Sequence, residues 1–180
     1  PAFKAVFEKM WRIQFMSACL SREISEACEI GDPDEVYLLG LIHNIGELFL
    51  LRVFGELFQR QNNQLLSMDE VLEMIAEYHC VFGEGLVKKW DLGDLFCYIT
   101  RNHHTMTAFE PSDEVDEDHR KLLHIVNLAD QLVSYTSLTY YKKQLPGASL
   151  ASSYDVLEMS SEKKDELRES AYNMKNELFP

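Results

Sequence analysis

The chain has 180 residues, enough for one domain burying roughly 70% of its unfolded surface, with an ordinary 46% hydrophobic content. Thirty acidic residues against 17 basic give a formal charge of −13, which repels phosphate backbones and sets nucleic acid aside as a partner. No apolar run reaches the ~20 residues of a bilayer span, and the N-terminal Pro-Ala-Phe-Lys-Ala-Val lacks the shape of a signal peptide. Cys19, Cys28, Cys80 and Cys97 follow no CxxC spacing, so buried, reduced thiols in a cytoplasmic protein are expected rather than a zinc finger or a redox pair.

Helical periodicity dominates from the start. Phe3, Val6, Phe7, Met10 and Trp11 recur at i, i+3 and i+4, and Leu20, Ile24, Ala27 and Cys28 continue the stripe, so a first helix runs to about Glu29 and stops at Gly31. Asp32-Pro33-Asp34-Glu35 opens a second, with Asp as N-cap, Pro at the first helical position and acids where the helix dipole favours them. It is expected to continue to about Gln61, ahead of a polar Asn62-Asn63-Gln64 connector. Ser67-x-x-Glu70 is a capping box for a third helix ending near His79, and the segment holding Gly83 and Gly85 reads as a short helix ending near Trp90. Asp91 caps the next, through Leu95 and Ile99 to about Met106. Six of the nine residues from Glu110 to Asp118 are acidic, which makes a surface loop. A helix over about His119–Tyr141 carries Leu122, Leu123, Val126, Ala129, Leu132 and Val133 on one face; a loop over Gln144–Ser153 and a charged helix over about Ser161–Leu178 complete the chain. The fold class is all-α, a compact bundle of six to eight helices, with residues 1–160 as its body and 161–180 as a charged C-terminal helix packed on it or extending from it. The densest basic spots, Lys88-Lys89 and Lys142-Lys143, read as solvated helix faces.

One stretch stands out. Tyr37–Leu51, YLLGLIHNIGELFLL, is apolar on both sides of His43-Asn44, and a buried imidazole and carboxamide need partners, a metal or a purpose. His79, His103-His104 and Asp130 follow on other helices. Each alone reads as a locally bonded helix residue. As an ordered set, imidazoles and a carboxylate converging from separate helices suit zinc, iron or manganese. His119 and His124 are given no role.

Gly-Leu-Ile-His-Asn-Ile-Gly over residues 40–46 resembles the GLLHDIG signature of HD-type phosphohydrolases, with Asn44 at the place of the metal-bridging Asp. EYHCVFGEGLVKKW over Glu77–Trp90, the His103-His104 doublet and IVNLADQL over Ile125–Leu132 extend the likeness, and together they resemble the HDOD family, the HD-related output domains of bacterial signalling proteins. Met10-Trp11-Arg12-Ile13-Gln14 is similar to that family's Phe-Trp-Arg-His-Ser, and the further helical half that usually precedes it suggests that the chain is a piece of a larger protein. The resemblance implies metal ligands at His43, at Asp130, at His79 and at one or both of His103 and His104. It also places Asn44 and Ile13 where two further ligands belong. A neutral amide replaces a bridging carboxylate and an aliphatic side chain replaces an imidazole, which should cripple metal-assisted hydrolysis. Without metal, Asn44 could donate to Asp130, and His43 could be held by a carboxylate or a backbone carbonyl. The resemblance with its departures implies a non-catalytic regulatory module with a degenerate metal site and no cofactor. It would work through other signalling proteins or domains, a homodimer being one option. A phosphohydrolase or cyclic-nucleotide phosphodiesterase with an altered site, or a sensor of a divalent metal or small ligand, is the alternative.

Overall fold

A computed structural model describes residues 2–61, 66–111, 115–141 and 145–180. Among these there are eight α-helices and one 3-10 turn: α1 (Ala2–Cys28), α2 (Pro33–Ile42), α3 (Ile45–Gln61), α4 (Met68–Lys89), α5 (Asp94–Asn102), the turn Met106–Phe109, α6 (Glu117–Tyr135), α7 (Leu150–Val156) and α8 (Ser161–Leu178). The all-α bundle is as the periodicity requires. The Asn62-Asn63-Gln64 connector and the Lys142-Lys143 pair lie outside the described residues.

Local chemistry starts and stops the helices. Asp32 accepts from the amides of Asp34 and Glu35 ahead of Pro33, and Ser67 and Glu70 form both halves of the capping box. Several boundaries differ from the sequence pattern, among them that of α5, which starts after Gly93 with no cap from Asp91 and ends at Asn102 rather than about Met106. The second helix breaks at His43-Asn44, where the Glu47 amide bonds the Asn44 carbonyl at 2.9 Å, an i−3 contact, and Gln14 Nε2 donates to the same carbonyl at 3.0 Å. The expected break between His79 and Gly83 is absent, so His79 lies inside one long α4. The helix from the acidic loop ends at Tyr135, six residues early: the Thr136 hydroxyl takes the Val133 carbonyl and Ser137 turns the backbone at φ 66°. Residues 138–141 therefore leave the helix, and a short α7 starts inside the expected Gln144–Ser153 loop and runs on to Val156.

Pro33–Arg60 is apolar and long enough by composition to cross a bilayer, a reading the run-length argument missed. Its most apolar window is 56% buried inside the fold, and it is interrupted by the buried His43-Asn44 pair, so it is a core element.

The same pair divides two apolar cores. Val36 and Leu39 join Met16, Leu20, Ile24, Leu123 and Leu128 in the larger one, while Leu48, Leu50 and Leu51 join Met10, Val71 and Ile75 in the smaller. Helix α8 closes on the larger core through Leu167 and Ala171.

Two glycine contacts set the helix spacing around the pair. Gly40 faces α1, where a Cβ would stand 2.9 Å from the Ala18 Cα. Gly46 faces α4, where a Cβ would stand 1.9 Å from the His79 carbonyl oxygen and 2.8 Å from the Gly83 nitrogen. Gly83 returns the contact, since a Cβ there would stand 3.3 Å from the Gly46 nitrogen. This backbone crossing of α3 and α4 carries His79 up to His43-Asn44.

Candidate metal centre

The sequence-selected residues come together from α4, α6 and the C-terminal ends of α2 and α5, but they divide into two groups. In the first, His43 Nδ1 meets the Gly40 carbonyl at 2.8 Å and Nε2 meets Asp130 Oδ2 at 2.8 Å. A carbonyl and a carboxylate both accept, so both ring nitrogens carry protons and His43 is an imidazolium. Burial opposes that charge. The charge and hydrogen bond of Asp130, with the Gly40 carbonyl, outweigh burial and raise the His43 pKa above the usual imidazole range. Asp130 answers in kind: burial pushes it up, but His43 and the Ser17 hydroxyl, 2.5 Å from Oδ1, hold its carboxylate below the usual range. The His43 ring is inaccessible and the Asp130 side chain is 27% exposed, so the ion pair is sealed on one side only. Asn44 does not reach Asp130 in this arrangement; its Oδ1 faces His103 Nε2 at 2.9 Å.

The second group is His79, His103 and His104. Each points Nδ1 at a backbone carbonyl: His79 at Ile75 (3.0 Å) and Ala76 (3.1 Å), His103 at Thr100 (3.0 Å), and His104 at Pro146 (2.6 Å). Those carbonyls fix the proton on Nδ1 and leave Nε2 as a bare lone pair in the neutral ring. Burial keeps the rings neutral, lowering His79 and His104 to about 4 and His103 further still, helped by the neighbouring imidazoles. The three acceptor atoms nevertheless converge, all within 4.8 Å, with His79 Nε2 only 3.2 Å from His103 Nε2. His104 Nε2 is buried without a partner. Turning the Asn44 amide would satisfy its contact with His103, but no turn of a side chain relieves the two facing imidazole lone pairs while their Nδ1 bonds hold. Cys80 Sγ stands beside them, 3.4 Å from His79 Nε2 and 3.9 Å from His103 Nε2, its thiol pushed up to about 12 by burial.

A cavity of about 110 Å³ opens beside His103, His104 and Asp130, well below the ~300 Å³ at which small-molecule pockets begin. Ile13 lines it and offers no donor atom. Tyr140 and Tyr141 form its far wall and fix a residue the sequence reading passed over. Glu47, 1% exposed, accepts from both tyrosine hydroxyls, from Tyr141 at 2.6 Å. Burial raises its carboxyl pKa even so, against the pull of those two donors. Glu47 belongs to the same apolar stretch as His43 and could have been found by the same argument. His124 is fully buried, bonded to the Ser153 hydroxyl (3.1 Å) and near the Phe109 carbonyl (3.3 Å), and serves the core.

The sequence profile of the HDOD domain matches residues 2–106, more than half of the chain, and the chain belongs to that family. No curated protein matches it. It is similar in fold to the crystal structure of an HDOD domain protein with unknown function from Geobacter sulfurreducens, at a TM-score of 0.66 and 20% identity. The match covers 95% of this chain and 61% of that one, so the chain spans about three fifths of its solved relative. His43, His79, His103 and His104 lie within the profile match; Asp130 lies beyond it.

Proposed function

We propose that this HDOD chain is a regulatory module that binds one divalent transition-metal ion and does not hydrolyse phosphodiesters. A single observation carries the reading: the constellation is divided, with His43 and Asp130 spent on each other while ring nitrogens of His79, His103 and His104 converge within 4.8 Å, the His104 Nε2 buried without a partner. The residues fit one ion on His79, His103 and His104. They do not fit a binuclear pair, because Asn44 lacks the bridging charge, Ile13 lacks a donor, and His43 carries protons on both nitrogens. An ion held there would neutralise the lone-pair repulsion and lock α4 to α5. The protein's own residues do the rest. The Gly40 carbonyl and Asp130 hold His43 away from the ion, and Ile13 and the tyrosine wall restrict access. The acidic surface favours protein partners with basic faces over nucleic acid, and signalling in the cytoplasm through such partners is the role we assign.

Metal analysis of the purified protein checks the reading. One zinc, iron or manganese per chain is expected, lost on His104→Ala. No turnover of a cyclic dinucleotide or of bis(p-nitrophenyl) phosphate is expected with any of these metals, and Asn44→Asp alone is expected to create none. Turnover abolished by His43→Ala would sink the non-hydrolytic reading.

A further inference from the structure

Helix α4 leaves an apolar line exposed on its outer side. Met74, Tyr78, Val81 and Phe82 are between 38% and 49% exposed, and Gly85 beyond them has open space where a side chain would stand. Their spacing of i, i+4, i+7, i+8 and i+11 puts them on one face, about 16 Å long at the ~1.5 Å rise of a helix. Helix α3 borders the same line. Phe49 stacks on Phe82 with ring centroids 6.0 Å apart, and Val53 and the exposed Leu57 follow Phe49 at i+4 and i+8. The two helices run in opposite chain directions, with the Gly46–Gly83 crossing at one end and the core of Leu51, Val71 and Ile75 at the other. An apolar furrow therefore lies between them. Its α4 side is charged. Glu70, Glu73, Glu77 and Glu84 recur at i, i+3, i+7 and i+14, about 100° round the helix axis from the apolar line. From Met68 to Val87, α4 holds Asp69 and these four glutamates and no Lys or Arg. Lys88 answers Glu84 at 2.6 Å, while Glu73 and Glu77 are exposed to solvent.

We infer that this face docks an amphipathic helix of a protein partner, its apolar edge in the furrow and its lysines or arginines along the Glu73–Glu77 side. The inference rests on the partner role proposed above and is independent of the metal ion. Helices that lie in such furrows anchor through apolar residues at i, i+3 or i+4 and i+7, which matches the about three turns of exposed line. The apolar contacts hold the partner; the acid ridge sets its register and excludes acidic helices, which is what complementary charge does best at an exposed rim. Anionic lipid and nucleic acid would meet the same acids with like charge, and a second copy of the chain brings its own formal charge of −13. The exposed line of Phe7, Trp11 and Phe15 on α1 has no such selectivity, because Lys4 and Glu8 beside it pair with each other.

Labelled synthetic peptides test this with the full chain. One is an amphipathic helix of about 18 residues, long enough to be helical, with leucines on one edge and lysines beside them; its twin has glutamates for the lysines. Fluorescence anisotropy is expected to show saturable binding of the lysine peptide, with the twin about tenfold weaker or worse. Glu73→Lys with Glu77→Lys should weaken the lysine peptide about tenfold, and Tyr78→Ser with Val81→Ser by as much. Glu166→Lys with Glu169→Lys, exposed on α8, changes the net charge equally and should leave binding in place. The four substituted positions on α4 are exposed, so melting curves and metal content should match the wild type. Equal weakening by the α8 pair overturns the inference, because diffuse acidity then accounts for the binding. So does a glutamate twin that binds as well, or binding to phosphatidylglycerol vesicles that Tyr78→Ser with Val81→Ser abolishes. A dimer in sedimentation that the same pair dissociates gives the face to a second copy instead. A lysine peptide whose binding none of these pairs changes keeps the partner role and overturns this surface; one that does not bind at all overturns both.

Discussion

Acidifying the metal-free protein from pH 7 to pH 4 is expected to unfold it. His79 and His104 are buried as neutral rings, with pKa values lowered to about 4 by burial and by neighbouring imidazoles. In the unfolded chain both titrate near the ordinary ~6.5. Between those two values the unfolded state binds more protons, so stability falls as the pH falls. Each ring forfeits about 3 kcal/mol by pH 4, at 1.36 kcal/mol per pKa unit. His103, lowered well below the usual value, and His124, lowered by burial, act in the same direction. Against a total stability of about 5–15 kcal/mol for a domain, this loss decides the outcome.

Two groups run the other way. His43 has a raised pKa, so its contribution is fully present below the unfolded value near 6.5 and fades as the pH rises through its folded value. Glu47, raised by burial, is likewise relieved by protonation. Asp130 is lowered, and its contribution survives until the pH drops through a folded value below 3.8. One imidazolium and one carboxyl do not offset four buried neutral rings. Far-ultraviolet circular dichroism against pH in excess chelator, with urea midpoints at pH 7 and pH 5, measures the effect. A urea midpoint unchanged between those values would mean that the histidine cluster is far more hydrated than its burial indicates. Saturating zinc should raise stability at pH 7 through mass action on the folded state.

Much of this centre was readable in the sequence, and what was not has physical causes. The argument that a polar pair on an apolar helix needs partners singled out His43-Asn44, and the structure gives His43 both a carboxylate and a backbone carbonyl. That argument applied equally to Glu47, three residues on, whose partners Tyr140 and Tyr141 are about ninety residues away and leave no periodic mark. The break between α2 and α3 was invisible because the apolar pattern runs through it; what interrupts the ladder is an amide from Gln14 on another helix. Gly83 was read as part of a separate short helix, although a lone glycine costs only about 1 kcal/mol against alanine inside a helix and need not end one. Its use is tertiary, a close crossing with Gly46 that no local signal reports. The division of the constellation into an ion pair and a histidine triad likewise depends on side-chain distances, and residue types in chain order carry none of that information.

Replacing Gly46 with alanine should be the most damaging single-methyl change in the protein. The added Cβ would lie 1.9 Å from the His79 carbonyl oxygen and 2.8 Å from the Gly83 nitrogen. Both are backbone atoms of α4, so no rotamer change can relieve the contact and the two helices must part. Overpacking typically costs about 1–3 kcal/mol where side chains can yield. Here a rigid backbone stands opposite, and a loss of about 3 kcal/mol or more is expected, lowering the melting temperature by roughly 10 °C in a chain of this size. Gly85 on the outer face of α4 is the control, because nothing lies within 4 Å of its added Cβ. Gly85→Ala should stabilise by about 0.5–1 kcal/mol through helix propensity and a less disordered unfolded chain. Thermal melts of the two variants therefore separate in opposite directions from the wild type. Parting α3 from α4 also moves Asn44 away from the His79 side of the cluster, so Gly46→Ala should alter the histidine ring-proton resonances while Gly85→Ala leaves them in place. A Gly46→Ala protein that melts with the wild type would mean that the α3–α4 crossing is looser than the structure has it, and the convergence of His79 with His103 would lose its structural basis.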